Sequence, residues 1–276
     1  MFGKLLKHDF KAVFRYWWLL LPAVPVLSVA IGLAIRLLLT TELAVGEYPI
    51  IHILLILFIS FAFVALAAST MVTPILSLVR FYKHFYTDEG YLTFTLPVRR
   101  RTLFLSKIVN ASIFNAMYLL LMVFSVSAAV VCAVPSDILA DFFLAFGKML
   151  EGLKLLGAWN VIYFAEWIAL FVAIDLFATL LLYLCVTIGA LVVRKAKLVV
   201  GLAIYYGVNT AISSVLQILT SIVLPLTSGE LVVMLEKMTP LAFALVLLIF
   251  IAAVATLAFT LFSMTLGRLE KKLNLA

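Results

Sequence analysis

Six long apolar stretches, separated by shorter charged segments, dominate the sequence. They cover residues 17–39, 50–79, 108–133, 160–193, 198–224 and 241–266. A helix needs about 20 apolar residues at about 1.5 Å each to cross a bilayer, and every stretch is long enough. The pattern therefore predicts an all-α polytopic membrane protein with six transmembrane helices in one transmembrane domain, residues 1–276. The fourth stretch exceeds the thickness of a bilayer, so it must tilt, break or project.

The charged segments between the apolar stretches alternate in sign. Lys and Arg cluster in the N-terminal arm, in residues 80–107, in the turn 194–197 and in the C-terminal tail, whereas the other three connections are acidic. Cytoplasmic loops of membrane proteins carry the excess of Lys and Arg. Both the N terminus and the C terminus are therefore predicted to be cytoplasmic, in a multi-pass protein of the cell membrane.

Two segments outside the apolar stretches have the spacing of amphipathic helices. In residues 1–16 the apolar side chains recur at helical spacing and the basic ones lie largely elsewhere, which predicts an interfacial helix on the inner leaflet. Residues 137–156 are mostly apolar with charges near one face. They predict a second helix on the outer leaflet, with a partly buried hairpin as the alternative.

Composition excludes an ordinary soluble protein. The chain is 66% hydrophobic and 12% charged, whereas soluble domains are roughly half apolar and a quarter charged. The formal net charge is +7, but the cations lie beside apolar stretches, where they orient a membrane protein. We therefore expect a membrane-lipid environment and no nucleic-acid partner.

The connection 80–107 is too aromatic for a plain solvated loop. Phe81, Phe85, Tyr86 and Tyr91, if exposed to water, would form an apolar patch, and such patches usually mark docking surfaces. Attraction of the basic side chains to anionic lipid is the alternative, but it does not account for the aromatic residues. A protein docking surface is therefore favoured.

The same connection contains a motif in which an acidic pair and a glycine precede a Leu-Pro-Val turn, a basic pair and a Leu-x-x-x-Lys pattern. Its residues are Asp88, Glu89, Gly90, Tyr91, Leu92, Leu96, Pro97, Val98, Arg99, Arg100, Leu103 and Lys107. This motif, together with the six-span layout, resembles export-type ABC transporter permeases of the six-helix class.

The resemblance implies a cytoplasmic coupling loop, residues 80–107, whose helix inserts into a cleft on a separate ATPase subunit. By position, the implied contact residues are Phe85, Tyr86, Asp88, Glu89, Gly90, Tyr91 and Leu92. It also implies a second permease copy, either identical or related.

Nucleotide chemistry is not expected on this chain. The sequence has no Gly-x-x-x-x-Gly-Lys-Ser/Thr loop, so ATP and Mg are expected on the partner subunit, no cofactor is expected here, and the chain is not expected to be an enzyme. His8, His52 and His84 are far apart and form no His-Glu-x-x-His helix, so no metal site is predicted.

Three charged residues fall within the apolar stretches, where ionisable groups are functional candidates. They are Arg36, Glu166 and Asp175. Arg36 and Asp175 are predicted at similar depth and could pair, so structural pairing, or an outer-interface position for Glu166, is favoured over substrate contact. Gly201 and Gly207 in the fifth stretch would allow close helix packing.

The resemblance therefore implies the permease subunit of an ATP-driven exporter. The nearly apolar spans suit an amphipathic or lipid-like cargo. Within the resembling family, exported antimicrobial or cytolytic peptides fit that description, and drugs, lipids or glycans are the alternatives. Two alternatives stay open: an ion-coupled secondary transporter in which Asp175 or Glu166 titrates, and a non-transporting membrane immunity protein.

Overall fold

The computed structural model describes residues 2–41, 49–87, 90, 98–155, 157, 159–193, 196–237 and 239–271, which are almost entirely helical and contain no strand. The helices are α1 (Phe2–Trp17), α2 (Leu20–Thr41), α3 (Pro49–Ser69), α4 (Val72–Tyr86), α5 (Arg100–Ala133), α6 (Ser136–Leu155), α7 (Trp159–Val192), α8 (Lys197–Lys237) and α9 (Pro240–Lys271).

Six segments of the described chain are long and apolar enough to cross a membrane. They are Phe2–Thr40, Ile50–Tyr86, Arg100–Ala133, Trp159–Val192, Lys197–Ser221 and Pro240–Leu269. The predicted number of membrane-crossing segments is thereby confirmed. The fourth is one unbroken helix of 34 residues, about 50 Å long at 1.5 Å per residue, so the break that its length allowed does not occur.

Both amphipathic segments outside the spans are helices, α1 and α6, so the hairpin alternative for 137–156 is wrong. Their positions on a membrane surface stay predictions.

The chain divides into two compact units by its internal contacts. The first unit holds 1–80 and 109–155, and the second holds 81–108 and 156–276. The single transmembrane domain stays a prediction as well.

The core of the first unit joins α1 to α2, α4 and α5. Trp17 is 1% exposed, and its indole Nε1 donates a hydrogen bond of 3.2 Å to Thr73 Oγ1 on α4. Phe10 stacks on Phe114 of α5 with ring centroids 4.9 Å apart. A buried indole needs such a partner for its N–H, so Trp17 fixes both the depth and the rotation of α1.

An ion pair between a buried carboxylate and a partly exposed guanidinium holds the middle of α1 against α4. Asp9 is 3% exposed, and its Oδ1 lies 3.2 Å from Nε of Arg80. Nη2 of the same guanidinium lies 3.3 Å from Nδ1 of His8. A carboxylate withdrawn from water this far is tolerated only beside a cation, so Asp9 and Arg80 specify the docked position of the arm.

The second unit is built around α7. The run from Thr179 to Thr187 is buried continuously, whereas α8 and α9 leave most of their span surfaces exposed. Near its start, α7 is tied to α9 because Tyr163 donates a hydrogen bond of 2.9 Å to the carbonyl of Pro240. α7 is therefore the internal helix against which its neighbours pack.

A glycine pair allows α7 and α8 to cross closely. A Cβ added to Gly201 would lie 2.6 Å from Cα of Val186, and one added to Gly189 would lie 2.6 Å from Cα of Gly201. These separations leave no room for a methyl group. The close packing predicted for Gly201 is confirmed, but the prediction for Gly207 is wrong, because a Cβ there meets nothing within 4 Å.

This difference gives a matched test on one helix. Gly201→Ala is expected to destabilise the protein by about 1–3 kcal/mol, because the added methyl group collides with backbone. Gly207→Ala, which adds the same methyl group in open space, is expected to be neutral or slightly stabilising, since Ala favours helix over Gly. Thermal unfolding in detergent compares them, and equal effects of the two changes would contradict the crossing.

Candidate coupling site

The connection 80–107, which we call the coupling segment, comprises the end of α4, the start of α5 and the chain between them. Of the contact residues implied by resemblance, the structure describes Phe85, Tyr86 and Gly90. Asp88, Glu89, Tyr91 and Leu92 lie outside the described residues, so their contact role stays a prediction.

The aromatic side chains of the segment form a buried cluster with α7. This aromatic cluster consists of Phe81, Phe85, Phe104 and Tyr183, each at most 1% exposed. Phe81 stacks on Tyr183 with centroids 4.2 Å apart and planes at 11°, and it lies 5.1 Å from Phe85 and 6.0 Å from Phe104. Aromatic pairs add about 0.5–1.5 kcal/mol each beyond their burial, so the cluster is a firm anchor.

The cluster corrects the interpretation of Phe81 and Phe85 as exposed docking residues. Both are 0% exposed, so neither side chain is available to a partner in this conformation. The physical reason is that α7 supplies an apolar surface beside the end of α4. Phe85 therefore supports the segment from within the second unit.

Tyr86 adds a polar link at the same end of α7. Its hydroxyl donates a hydrogen bond of 3.0 Å to Thr187 Oγ1, and Thr187 donates one of 2.7 Å to the carbonyl of Tyr183. Thr187 is 1% exposed, whereas Tyr86 is half-buried. The hydroxyls thus form a chain that ends in the backbone of α7, and Tyr86 remains partly exposed.

Gly90 closes the turn after α4. It is buried, and its N–H donates a hydrogen bond of 2.7 Å to the carbonyl of Thr87. An added Cβ would lie 3.3 Å from the backbone of Phe85. Glycine therefore lets the chain turn directly over the buried aromatic cluster.

Basic residues of the segment make specific contacts within the second unit. Arg100 donates a hydrogen bond of 3.0 Å from Nη1 to the carbonyl of Leu269, in the last turn of α9. A cation at this position also interacts favourably with the negative end of the helix dipole. Lys107 is 5% exposed with Nζ 3.2 Å from Nδ1 of His84. Attraction to lipid therefore does not account for these two cations.

The arrangement can transmit displacement mechanically. The segment is attached to α7 through Phe81 and Tyr86, and to the end of α9 through Arg100. Phe104 adds a ring contact to Phe262 of α9 at 5.4 Å. Because close-packed interiors are poorly compressible, the segment, α7 and the end of α9 are held firmly together.

Sequence reasoning missed the partners of the segment on α7 and α9: Tyr183, Thr187, Phe262 and Leu269. The spacing of Thr179, Tyr183 and Thr187, each four residues from the next, was an available signal of a polar face on α7. Nothing in the sequence predicts that this face of α7 contacts α4.

The three intramembrane charges are placed on two helices. Arg36 is exposed on α2 of the first unit, whereas Glu166 and Asp175 are half-buried on α7 of the second. The pairing of Arg36 with Asp175 stays a prediction. Glu166 Oε2 is buried and has no hydrogen-bond partner in the described part of the chain.

No group of three or more metal-binding side chains occurs among the residues that the structure describes.

The chain matches no protein-family model, no curated protein and no solved structure. Its function is therefore argued from the coupling segment and the membrane-crossing helices themselves.

The Tyr86–Thr187 hydrogen bond is tested by a double-mutant cycle. Tyr86→Phe and Thr187→Val each remove it and are each expected to cost about 1 kcal/mol of stability. Because both changes break one bond, the double variant should lose less than the sum of the two. Tyr82→Phe is the control, since Tyr82 stacks on Tyr86 and that contact survives loss of the hydroxyl. Strictly additive unfolding data would refute the link.

Proposed function

We propose that this chain is the permease subunit of an ATP-driven ABC exporter, and that the coupling segment docks on a separate ATPase subunit. The observation that carries the proposal is the rigid attachment of the segment to two membrane-crossing helices by Phe81, Tyr86 and Arg100. A loop serving only to connect two spans has no need of a buried aromatic cluster or of a link to the end of α9.

In this mechanism ATP binding closes the ATPase subunit and displaces the coupling segment. The stack of Phe81 on Tyr183 transfers the displacement to α7, and Arg100 transfers it to α9 through the Leu269 carbonyl. Hydrolysis on the partner then returns the segment to its first position. All nucleotide chemistry, with its Mg ion, belongs to the ATPase subunit, and this chain supplies the moving path.

The burial of Phe85 changes which surface meets the ATPase. At the end of α4 the exposed residues are Lys83 and, directly after the helix, Thr87, with Tyr86 partly exposed beside them. We propose that these residues, together with Asp88, Glu89, Tyr91 and Leu92, form the contact. Phe85 and Gly90 support that contact from behind.

We also propose the cytoplasmic orientation of both termini, with α1 at the inner leaflet of the cell membrane. The alternation of basic and acidic connections supports this orientation. The cargo is proposed to be amphipathic, such as an antimicrobial or cytolytic peptide, because the spans leave broad apolar faces exposed. A second permease copy, identical or related, completes the path.

An ion-coupled transporter is the second candidate. Glu166 favours it, since one carboxylate oxygen is buried in a membrane-crossing helix without a partner among the described residues. An acid in this setting could carry a proton across the outer half of the bilayer. Dependence of transport on a proton gradient, abolished by Glu166→Gln, separates this function from an ATP-driven one.

The orientation is tested by labelling engineered cysteines in intact cells. Thr87→Cys in the coupling segment should react with a membrane-impermeant maleimide only after the membrane is opened. Lys148→Cys, exposed on α6, should react without opening. Labelling of Thr87→Cys in intact cells would reverse the proposed topology.

The ATPase partnership is tested by purifying the chain with a co-expressed ATPase subunit. Wild-type protein should co-purify with the subunit and alter its rate of ATP hydrolysis. The double variant Glu89→Ala/Tyr91→Ala should weaken the association about tenfold, as expected when anchor residues of an interface are removed.

Glu151→Ala, which removes an exposed acid on α6, is the control and should leave the association unchanged. If wild-type chain neither binds nor stimulates any ATPase subunit, the permease proposal fails and the ion-coupled function is preferred.

A further inference from the structure

The fifth membrane-crossing segment differs from the others in its side-chain pattern. Its mean hydropathy is the lowest of the six. From 209 to 221 every residue is exposed, so this part of α8 makes little contact with the other described residues of its own unit. The polar side chains in that stretch are Asn209, Thr210, Ser213, Ser214, Gln217, Thr220 and Ser221.

These polar residues all lie on one side of the helix. At about 100° per residue they fall within an arc of about 140°. The apolar residues between them occupy the opposite side, and these are Ala211, Ile212, Val215, Leu216, Ile218 and Leu219. We call this arc the polar face of α8. The apolar side suits contact with lipid, but a bilayer offers no hydrogen bonds to the polar face.

The hydroxyl groups of the face are largely satisfied by the helix itself. Ser213 donates a hydrogen bond of 2.7 Å to the carbonyl of Asn209, and Ser221 donates one of 2.8 Å to that of Ile218. Thr220 bonds to the carbonyls of Leu216 and Gln217 at 3.0 and 2.9 Å. These hydroxyls therefore have little need of an outside partner.

The amides are in a different situation. Neither side-chain amide of Asn209 or Gln217 has a hydrogen-bond partner among the described residues. Each carries a carbonyl acceptor and an NH₂ donor, and both lie on the polar face, about 12 Å apart along the axis at 1.5 Å per residue. An occupant of the face must supply both a donor and an acceptor at these two levels.

We propose that the polar face of α8 is the surface on which a second copy of this chain docks, α8 against α8. Two copies inserted with the same topology present parallel α8 helices related by a two-fold axis, so each residue meets its own counterpart. An amide bonds reciprocally to an identical amide, donor to acceptor in both directions. Polar side chains of this kind associate membrane helices.

The composition of the face supports this occupant over an ion or an acidic partner. The described stretch 209–221 carries no charged residue, so nothing there selects an ionic ligand. Ser213 lies between the two amides near the centre of the face and is small enough to let the backbones approach. The inference rests on the proposed function in that it names the surface joining the two permease copies.

The test uses oxidative crosslinking of full-length chain in native membranes, in a background with Cys132 and Cys185 replaced. Ser213→Cys at the centre of the face should form disulfide-linked dimers with copper phenanthroline, since a disulfide needs Cα atoms about 4.4–6.8 Å apart. Val215→Cys, two residues on and on the opposite side, is the matched control and should remain at background.

A second variant asks whether the amides are responsible. Asn209→Leu/Gln217→Leu, with Ser213→Cys, should weaken dimer association about tenfold, whereas Asn209→Gln, which keeps an amide, should retain the crosslink. Equal crosslinking of Ser213→Cys and Val215→Cys would refute the interface. So would labelling of Ser213→Cys by a membrane-impermeant thiol reagent without any crosslink, because the face would then line a water-filled path.

The outcome is independent of the ATPase. Crosslinking requires no ATPase subunit, so a specific α8 crosslink in a chain that recruits no ATPase would leave the interface intact and refute only the permease function. Recruitment of an ATPase by a chain with no specific crosslink would support the permease function and refute the α8 interface.

Discussion

Scarcity of hydrogen-bond partners in an apolar medium is the constraint on which this structure depends. Backbone groups are satisfied within the helices, so long helices account for nearly all the described residues. Polar side chains then have few hydrogen-bond partners available, and several of them lie where two helices meet. Trp17 with Thr73, Asp9 with Arg80, and Tyr86 with Thr187 are each a polar contact between helices. Apolar packing surrounds these pairs, but the pairs specify which helices are neighbours.

Within the second unit, the same constraint makes α7 the reference for its surroundings. Its buried run carries Tyr183 and Thr187, which receive the coupling segment, and Gly189, which receives α8. All three lie within seven positions of one helix. The docking of the segment and the crossing of α8 therefore depend on one short surface, and a change to this part of α7 would disturb both.

The sequence was sufficient to predict the helices, but it predicted few of the contacts between them. Runs of apolar residues predicted the six membrane-crossing segments, because a bilayer demands length and apolarity, both of which are local properties. Gly201 was recognised from its size, but its partner Gly189 and the open surroundings of Gly207 depend on where α8 crosses α7. The exposure expected of Phe81 and Phe85 was wrong for a related reason. A loop reads as exposed until the helix that covers it is known, and Tyr183 lies about a hundred residues further along the chain.

The ion pair between Asp9 and Arg80 has a consequence for the order of assembly. Its two residues are 71 positions apart in the chain. The first two apolar stretches, 17–39 and 50–79, lie between them. During synthesis Asp9 emerges long before its partner, so the arm has no cation from α4 to bind until the second stretch has been inserted. Formation of the pair therefore requires that α1, α2, α3 and the end of α4 have all been made. The arm is thus made before its partner helix, and it is fastened only after that helix has been made.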